Sequence, residues 1–415
     1  MTSALLTAFW FSVGGYVLAI GAMAWRTARP RPVPHVADDA LPSVAVIVAA
    51  RDEELTLPRC LTALSAQDYP AGRIEIIVAD DHSEDGTEAA VRRFEHAGAL
   101  SPADRPADTS VAGPADGLAA GPVAVRYLRV PDSTGHIRGK ALALHSAIGT
   151  TDAEVLLFTD ADCAPDPRWA RELAEPFADG GTDLVCSLTA IDPYRGLGDH
   201  VQALDWALML VAVGAITEAG LPATGMGNNM AVRQSAYHAT GGYPALPFSV
   251  TEDFTLFRAV ADRPGATARF RLSPRAAVLT HPAATFRGAY EQRRRWASGG
   301  LGGGWPVWLT YTALWMVHAL PLAALVLDPL AGAAGLAAMT AADAALLTTA
   351  NRRAGGILSR SLTLPALVGS TLFRTAYLVT LPAVLTLRPR IVWKGRMHEP
   401  ARRRRAECEQ TRDLP

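Results

Sequence analysis

Asp160 and Asp162 stand one residue apart at the end of an apolar run, residues 155–159. Successive side chains alternate along an extended segment, so the two carboxylates should point to one side. At the C-terminal end of a strand in an open α/β sheet, that side faces the crevice where ligands bind. Two acids there suit a hard divalent cation such as Mg²⁺, which takes one or two carboxylates and completes its shell with substrate phosphates. A solvated turn with two unrelated acids would read the same way, because a lone Asp-x-Asp is a weak motif.

Other residue groups could do related chemistry. Asp80 and Asp81 end a second apolar run and lead through Ser83 and Asp85 to Thr87. Acids at a strand end can hydrogen-bond a nucleobase N–H and ribose hydroxyls. A turn and helix cap built on Ser83 or Asp85 would use the same stretch. Lys140 follows Gly139 at a helix start. An ammonium beside free backbone N–H groups suits an anion there, and a plain surface lysine is the alternative. Gly225, Gly227, Asn228 and Asn229 form a loop able to approach a sugar and offer amide hydrogen bonds, or simply a tight turn. Thr251, Glu252 and Asp253 precede an apolar-periodic helix. A carboxylate there could act as a general base, and Thr251 or Asp253 could equally be an N-cap. Gln292, Arg293, Arg294, Arg295 and Trp296 lie just before further apolar segments. Such arginines meet anionic lipid or grip a departing pyrophosphate, while Trp296 offers an apolar platform for a sugar or lipid.

The elements that must position these groups follow a clear rhythm. Residues 43–50, 73–79, 123–130 and 155–159 read as buried strands, and residues 54–67, 87–96 and 140–148 as helices between them. Strands alternating with helices predict an α/β fold on a mostly parallel, doubly wound sheet. Residues 97–122 are rich in Ala, Gly, Pro and Asp without periodicity and are expected to be a flexible insertion.

The 415 residues exceed one ordinary domain. Hydrophobic residues make up 49% and charged residues 19%, and a formal net charge of -1 conceals arginine clusters beside apolar segments. No nucleic-acid partner is expected. The four cysteines, Cys60, Cys163, Cys186 and Cys408, lack C-x-x-C spacing, so neither a zinc site nor a disulfide framework is suggested.

Residues 4–25 form an uncharged apolar run, long enough to cross a hydrocarbon core of about 30 Å. No base precedes it, unlike a cleaved signal, and Arg26, Arg29 and Arg31 follow it. The positive-inside rule then places the N-terminus outside and residue 26 onward in the cytoplasm. Residues 1–29 are therefore expected to be an anchor, 30–42 a Pro-rich linker, 43–300 a catalytic domain, 301–390 a membrane region and 391–415 a basic cytoplasmic tail. Within the membrane region, residues 305–327 and 330–350 are apolar, and residues 362–387 carry Arg374 at their centre. A re-entrant or interfacial hairpin turning near Arg374 would keep the tail inside, and one straight helix over residues 362–387, also long enough to cross, is the alternative. Residues 206–221 read either as a buried core helix or as an amphipathic helix at the membrane surface.

Taken in order, Asp80-Asp81, Asp160-Ala161-Asp162, Thr251-Glu252-Asp253 and Gln292 to Trp296 resemble the inverting family 2 glycosyltransferases. The resemblance is to their membrane-embedded branch with a Q-x-x-R-W motif, which includes ceramide glucosyltransferases, carotenoid- and hopanoid-associated enzymes and, more distantly, cellulose and hyaluronan synthases. It extends from about residue 43 to residue 300 and includes residues 46–54 and Gly139-Lys140-Ala141. It implies a GT-A, Rossmann-like catalytic domain with N- and C-terminal transmembrane helices.

The resemblance also implies roles. Asp81 with Asp80 would bind the base and ribose of a nucleotide-sugar of UDP type, with Ala49 and Arg51 lining the base pocket. Glu53, Lys140, Ala161 and Asn228 would belong to the same donor site. Asp160 and Asp162 would hold Mg²⁺ or Mn²⁺ against the diphosphate. Asp253, beside Glu252, would be the general base. Arg295 and its neighbouring arginines would stabilise the leaving diphosphate, and Gln292 and Trp296 would complete the site, Trp296 on the acceptor side. His145 stands where many relatives carry Asn, and His281 is read as structural, with a third metal-ligand role as its alternative. Few apolar segments lie outside the catalytic domain, which favours one transfer to a hydroxyl or carboxyl of a membrane lipid in the plasma membrane over processive polysaccharide synthesis. A nucleotidyl- or phospho-transferase and an inactive membrane scaffold are the rivals from other classes.

Overall fold

The computed structural model describes residues 2–33, 35–99, 123–133, 135–192, 194–300, 305–388, 390–393 and 396–398. Residues 100–122 of the expected insertion, and the tail residues from 399 onward with Arg402 to Arg405 and Cys408, lie outside these. In chain order the elements begin with α1 (Thr2–Ala28), β1 (Val44–Ala50), α2 (Leu57–Ser65), β2 (Ile74–Asp80), α3 (Thr87–Ala99), β3 (Ala124–Arg129), α4 (Lys140–Ile148) and β4 (Val155–Asp160). Next come β5 (Ala164–Pro165), α5 (Trp169–Ala174), β6 (Leu184–Ser187), β7 (Thr189–Ile191), α6 (Leu197–Glu218), β8 (Met230–Arg233), α7 (Gln234–Ala239), α8 (Gly242–Ala245) and α9 (Glu252–Ala261). The chain continues with β9 (Ala268–Arg271), β10 (Val278–Thr280), α10 (Phe286–Gly300), α11 (Trp305–Leu327), α12 (Pro329–Arg353), α13 (Leu364–Leu387), β11 (Ile391–Trp393) and β12 (Arg396–His398). The helical pattern thus outlasts its expected end, and α3 runs on through Ala99.

The main sheet has seven strands in the order β3-β2-β1-β4-β8-β6-β9. All neighbours are parallel except β8, which runs antiparallel to β4 and β6. The chain builds outward from β1 through β2 to β3, then returns to place β4 on the other side of β1. That reversal opens a crevice beyond the C-terminal ends of β1 and β4, the position where open α/β sheets bind ligands. Alternation along the strands divides the core. Val44, Val46 and Val48 with Val155 and Leu157 face α2 and α5, whereas Ala45 and Ile47 with Leu156 and Phe158 face α4.

Asn229 ties the loop before β8 to the rest of the core. It is fully buried, its side-chain N–H groups donate to the carbonyls of Leu188 and Ala276 at 2.8 and 3.0 Å, and its Oδ1 accepts from Trp169 Nε1 at 2.9 Å.

By length and composition, five helices among the described residues could cross a membrane: α1, α6, α11, α12 and α13. They are not alike. In its most apolar stretch α6 is 72% buried and α1 only 17%. The ambiguous apolar stretch therefore belongs, from residue 206 to residue 218, to a longer helix, enclosed between the sheet unit and the other apolar helices, and its last three residues lie beyond the helix end. The outer helices leave Phe11, Leu18, Val326 and Leu330 exposed. Arg353 donates to the carbonyl of Ala28, joining the ends of α12 and α1.

The hairpin expected at Arg374 is not formed. α13 is one continuous helix of 24 residues. Arg374 does not break it, because the buried carboxylate of Asp343 on α12 pairs with the guanidinium. Both ends of α13 nonetheless stay against the sheet unit. Ser361, just before it, meets His200 Nδ1 at 3.0 Å, and Arg294 of α10 donates to the carbonyls of Arg388 and Arg390 just after it.

Replacing Asn229 with Ala strands two buried partners, the Trp169 indole N–H and the Ala276 carbonyl, while the Leu188 carbonyl keeps the N–H of Val278. We expect Asn229→Ala to lower stability by on the order of 3 kcal/mol. Chemical denaturation of the detergent-solubilised chain measures this, and a loss below about 1 kcal/mol would contradict it.

Candidate active site

A cleft of about 260 Å³ opens at the crevice between β1 and β4. Its walls include Ala49, Arg51, Glu53, Asp81, Lys140, Asp160, Ala161, Asp162, Asn228, Glu252, Asp253, Gln292, Arg295 and Trp296. Fold and sequence thus bring four separated motifs to one place. The cleft also takes Arg138, Phe248 and Thr280, which carried no motif signal, together with Trp206 from the ambiguous apolar stretch, Met226 from the Gly- and Asn-rich loop, and His281.

The acidic pair is arranged differently from two alternating strand residues. β4 stops at Asp160, and the N–H of Cys163 closes a turn onto the Asp160 carbonyl at 3.0 Å. Ala161 and Asp162 are the central residues of that turn. Asp160 lies on the α4 face of the sheet, where its Oδ1 meets Lys140 Nζ at 2.6 Å. The same ammonium lies 3.2 Å from Glu252 Oε1. Burial disfavours charge on Lys140, yet Asp160, Glu252 and Asp253 together hold its pKa above the ordinary lysine value. Burial raises the Asp162 carboxyl, and the nearby Asp160 and Glu53 raise it further. Burial likewise raises Glu252; Lys140 opposes the rise and Asp253 adds to it.

This donor set fits a divalent cation that shares its shell with a ligand. Among the described residues no group of three or more His, Cys, Asp or Glu side chains is arranged to hold a metal. Asp160 and Asp162 would supply the one or two carboxylates typical of Mg²⁺, with phosphate oxygens and water supplying the rest. A cation between them would also oppose the burial and the carboxylate repulsion that raise the Asp162 carboxyl.

Asp253 is held from two sides. Its Oδ2 accepts from the N–H of Gly227 at 2.8 Å and its Oδ1 from the N–H of Phe254 at 2.8 Å. A Cβ at residue 227 would come within 2.6 Å of the Asp253 Cβ, so only glycine lets that loop so close. Thr251 occupies the N-cap position of α9 but makes no side-chain capping bond. Its hydroxyl instead faces Ser249 Oγ at 3.1 Å. A Cβ at residue 299 would lie 1.8 Å from Thr251 Oγ1, so Gly299 sets the approach of α10 to this corner.

Helical spacing sorts the α10 residues. Gln292, Arg295 and Trp296 are three and four apart, share a face and line the cleft. Arg293 and Arg294 point elsewhere, Arg293 to Asp205 and Arg294 to Glu291 and the backbone after α13. The expectation that neighbouring arginines join Arg295 in the cleft is corrected by this rotation.

The acid pair after β2 also divides. Asp81 lines the cleft, with Arg51 3.6 Å and His82 3.5 Å from its carboxylate. Asp80 does not reach the cleft. Its Oδ1 accepts from the Ser83 N–H and hydroxyl at 2.9 and 2.6 Å, and its Oδ2 accepts from Tyr127 at 2.8 Å. Asp80 therefore builds the turn, and its expected nucleotide contact is corrected. The loops after β1 and β2 are laced together by Asp52, Glu54, Ser83 and Asp85, which fixes Arg51 and Glu53 beside Asp81. Asn228 Oδ1 accepts from Thr189 at 2.9 Å. His145 faces the Tyr237 hydroxyl at 2.9 Å on the far side of α4, outside the cleft lining. His281 Nε2 lies 3.0 Å from Arg59.

The raised pKa of Glu252 has a pH signature. Between the ordinary value of 4.5 and the raised one, the folded chain binds more protons than the unfolded chain, so Glu252 lowers stability as pH rises through that window. Glu252→Gln removes this loss. The stability gap between the variant and wild type should grow in the variant's favour as pH rises from 4.5. Denaturation midpoints in chelator at stepped pH test it; parallel profiles would refute it.

Known proteins bear on this arrangement. Residues 155–387, more than half of the chain, match the model of "Glycosyl transferase family group 2", and residues 45–102 match "Glycosyl transferase family 2". The chain is similar to glycosyltransferase AglE of Haloferax volcanii, with 27% identity over 145 residues, 35% of this chain and 38% of that protein. It is also similar to beta-monoglucosyldiacylglycerol synthase of Trichormus variabilis, with 26% identity over 292 residues, 68% of this chain and 54% of the relative. These matches span about half the length of the curated relatives, or less. The fold resembles the mannosyltransferase PcManGT of Pyrobaculum calidifontis, solved with GDP-Man and Mn²⁺, at a TM-score of 0.54 and 24% identity, covering 94% of this chain and 99% of that one. The four motifs gathered in one cleft and the extent of the family match lead to one conclusion: the chain belongs to glycosyl transferase family group 2.

Proposed function

We propose that this chain is a membrane-bound, inverting glycosyltransferase that moves a sugar from a nucleoside diphospho-sugar to a hydroxyl or carboxyl of a membrane lipid. One observation carries the reading. Asp253, fixed by two backbone N–H groups, shares a cleft with an acidic pair and with Arg295 and Trp296, on a helix that leads into apolar helices. The likeness to a glucosyldiacylglycerol synthase supports a lipid acceptor.

In this reading the base and ribose lie against Ala49, Arg51 and Asp81, and the diphosphate lies toward Asp160 and Asp162. Mg²⁺ or Mn²⁺ held by Asp160 and Asp162 would neutralise charge on the diphosphate. Lys140 and Arg295 supply positive charge where the leaving group gains negative charge. Asp253 takes the proton of the acceptor hydroxyl as that oxygen attacks the anomeric carbon from the face opposite the leaving group. Trp296 and Trp206 present an apolar wall to the acceptor. Arg26, Arg29, Arg352 and Arg353 cluster where α1 and α12 meet the catalytic unit, which supports a cytoplasmic catalytic side and a multi-pass plasma-membrane protein.

Membranes containing the chain, incubated with radiolabelled nucleotide-sugars, should place label in the lipid extract. Release of labelled sugar 1-phosphate would point to a nucleotidyl-transferase, and label in long polysaccharide to a processive synthase. Asp253→Asn should cut transfer by about 10²–10⁴-fold while donor binding persists. Full turnover by that variant would exclude Asp253 as the base. EDTA should abolish transfer and added Mn²⁺ or Mg²⁺ restore it; undiminished activity in EDTA would remove the metal from the reading.

A further inference from the structure

Arg293 lies in the middle of the Gln292 to Trp296 stretch yet does not face the cleft. Its Nε and a terminal nitrogen donate to Asp205 Oδ2 at 3.0 and 2.7 Å, and the two side chains are only 4% and 2% exposed. Asp205 sits on α6. Its other oxygen accepts from the Tyr377 hydroxyl at 3.2 Å and lies 3.9 Å from Arg374, both on α13. Arg374 continues to Asp343 on α12, and Asp343 accepts from the Tyr16 hydroxyl of α1 at 2.6 Å. Two arginines and two aspartates of alternating charge thus run from α10 into the apolar helices.

The cleft end of this chain touches the reactive face. Trp206, next to Asp205, meets Trp296 edge to face at 4.9 Å between ring centres. The Arg293 guanidinium sits over the Trp296 ring at 4.9 Å and over the Trp206 ring at 5.6 Å. Both tryptophans line the cleft. Burying ion pairs gains little stability compared with apolar side chains of similar volume, because desolvation offsets the Coulomb attraction. Such a pair does constrain geometry strongly, since either charge left alone in the interior is costly.

We propose that Asp205 is a positioning residue, whose clamp on Arg293 sets the rotation of α10 and so holds Arg295 and Trp296 at the cleft. Through Arg374 the same carboxylate references α10 to α13 and α12. Nothing in the four motifs points to Asp205. It acts on the acceptor side, because Trp206 and Trp296 stand there, and leaves the base and ribose pocket at Arg51 and Asp81 untouched. This inference rests on the glycosyl-transfer reading for its activity readout.

The test compares wild type, Asp205→Asn, Asp205→Glu and the apolar double variant Asp205→Leu/Arg293→Met, each solubilised in detergent. Measured are thermal midpoint, nucleotide affinity by titration with the nucleoside diphosphate and Mn²⁺, and transfer from labelled donor to a lipid extract. Asp205→Asn should raise the acceptor KM or lower turnover by about tenfold or more, while nucleotide affinity stays within about twofold. Asp205→Glu should recover part of that loss. The double variant should keep a thermal midpoint near wild type and still transfer poorly. Wild-type transfer by the double variant or by folded Asp205→Asn would overturn the proposal. So would failure of the double variant to fold, because a pair retained for position must be replaceable without loss of the fold. If wild type itself moves no sugar, the glycosyl-transfer reading fails instead.

Discussion

One ammonium among carboxylates is the interaction on which the cleft depends. Lys140 touches Asp160 and Glu252 and feels Asp253, while Asp162 and Glu53 stand close by. Carboxylates this close and this buried repel strongly, and burial alone already pushes Asp162 and Glu252 toward their neutral forms. Lys140 is the cation that lets the strand-end turn after β4 and the start of α9 approach each other. A divalent cation and an arginine-bound diphosphate would extend the same balance. The acidic crowd is tolerable because Lys140 supplies opposite charge from within the chain.

A second constraint governs the opposite wall. α10 must present Gln292, Arg295 and Trp296 to the cleft while continuing toward the apolar helices. Close contact at Gly299 sets how near it comes to Thr251, and buried ion pairs set how it is turned. The apolar helices are thus packed into the catalytic architecture. α6, the most enclosed of them, carries both Trp206 at the cleft and Asp205 beneath it. This explains how a chain with largely exposed outer helices can still hold a well-defined site: the exposed surface faces away from the packed junction.

Much of this was legible in the residues. The strands around Val44, Ile74, Ala124 and Val155 declare themselves by apolar runs, and β4 ends where the acidic pair begins. The order of the four motifs marked the cleft as one site, but spacing in α10 did not separate Arg295 from Arg293 and Arg294, since Arg293 is itself three residues from Trp296. Other features were not legible. Asp80 and Asp81 are chemically identical neighbours, and only Tyr127 on β3 and the Ser83 turn show that Asp80 is consumed in the scaffold. Arg374 reads as a break in an apolar helix until Asp343 and Asp205 are found beside it.

The sequence by itself determined the first four strands, the helices between them, the long apolar segments and the chemical kinds of group that meet, because periodicity and strand-end position are local properties of the chain, whereas the short strands β6, β8 and β9 that complete the sheet carried no such signal. Only the tertiary structure decided which of two adjacent like residues serves the cleft, how the Asp160-Ala161-Asp162 turn is closed, and that α13 stays one helix. The reason is that a side chain's local geometry gives its direction relative to its own element. Its role depends on the partner that distant segments bring within a few ångströms, and for Asp205, Arg293 and Arg374 those partners lie far away in the chain.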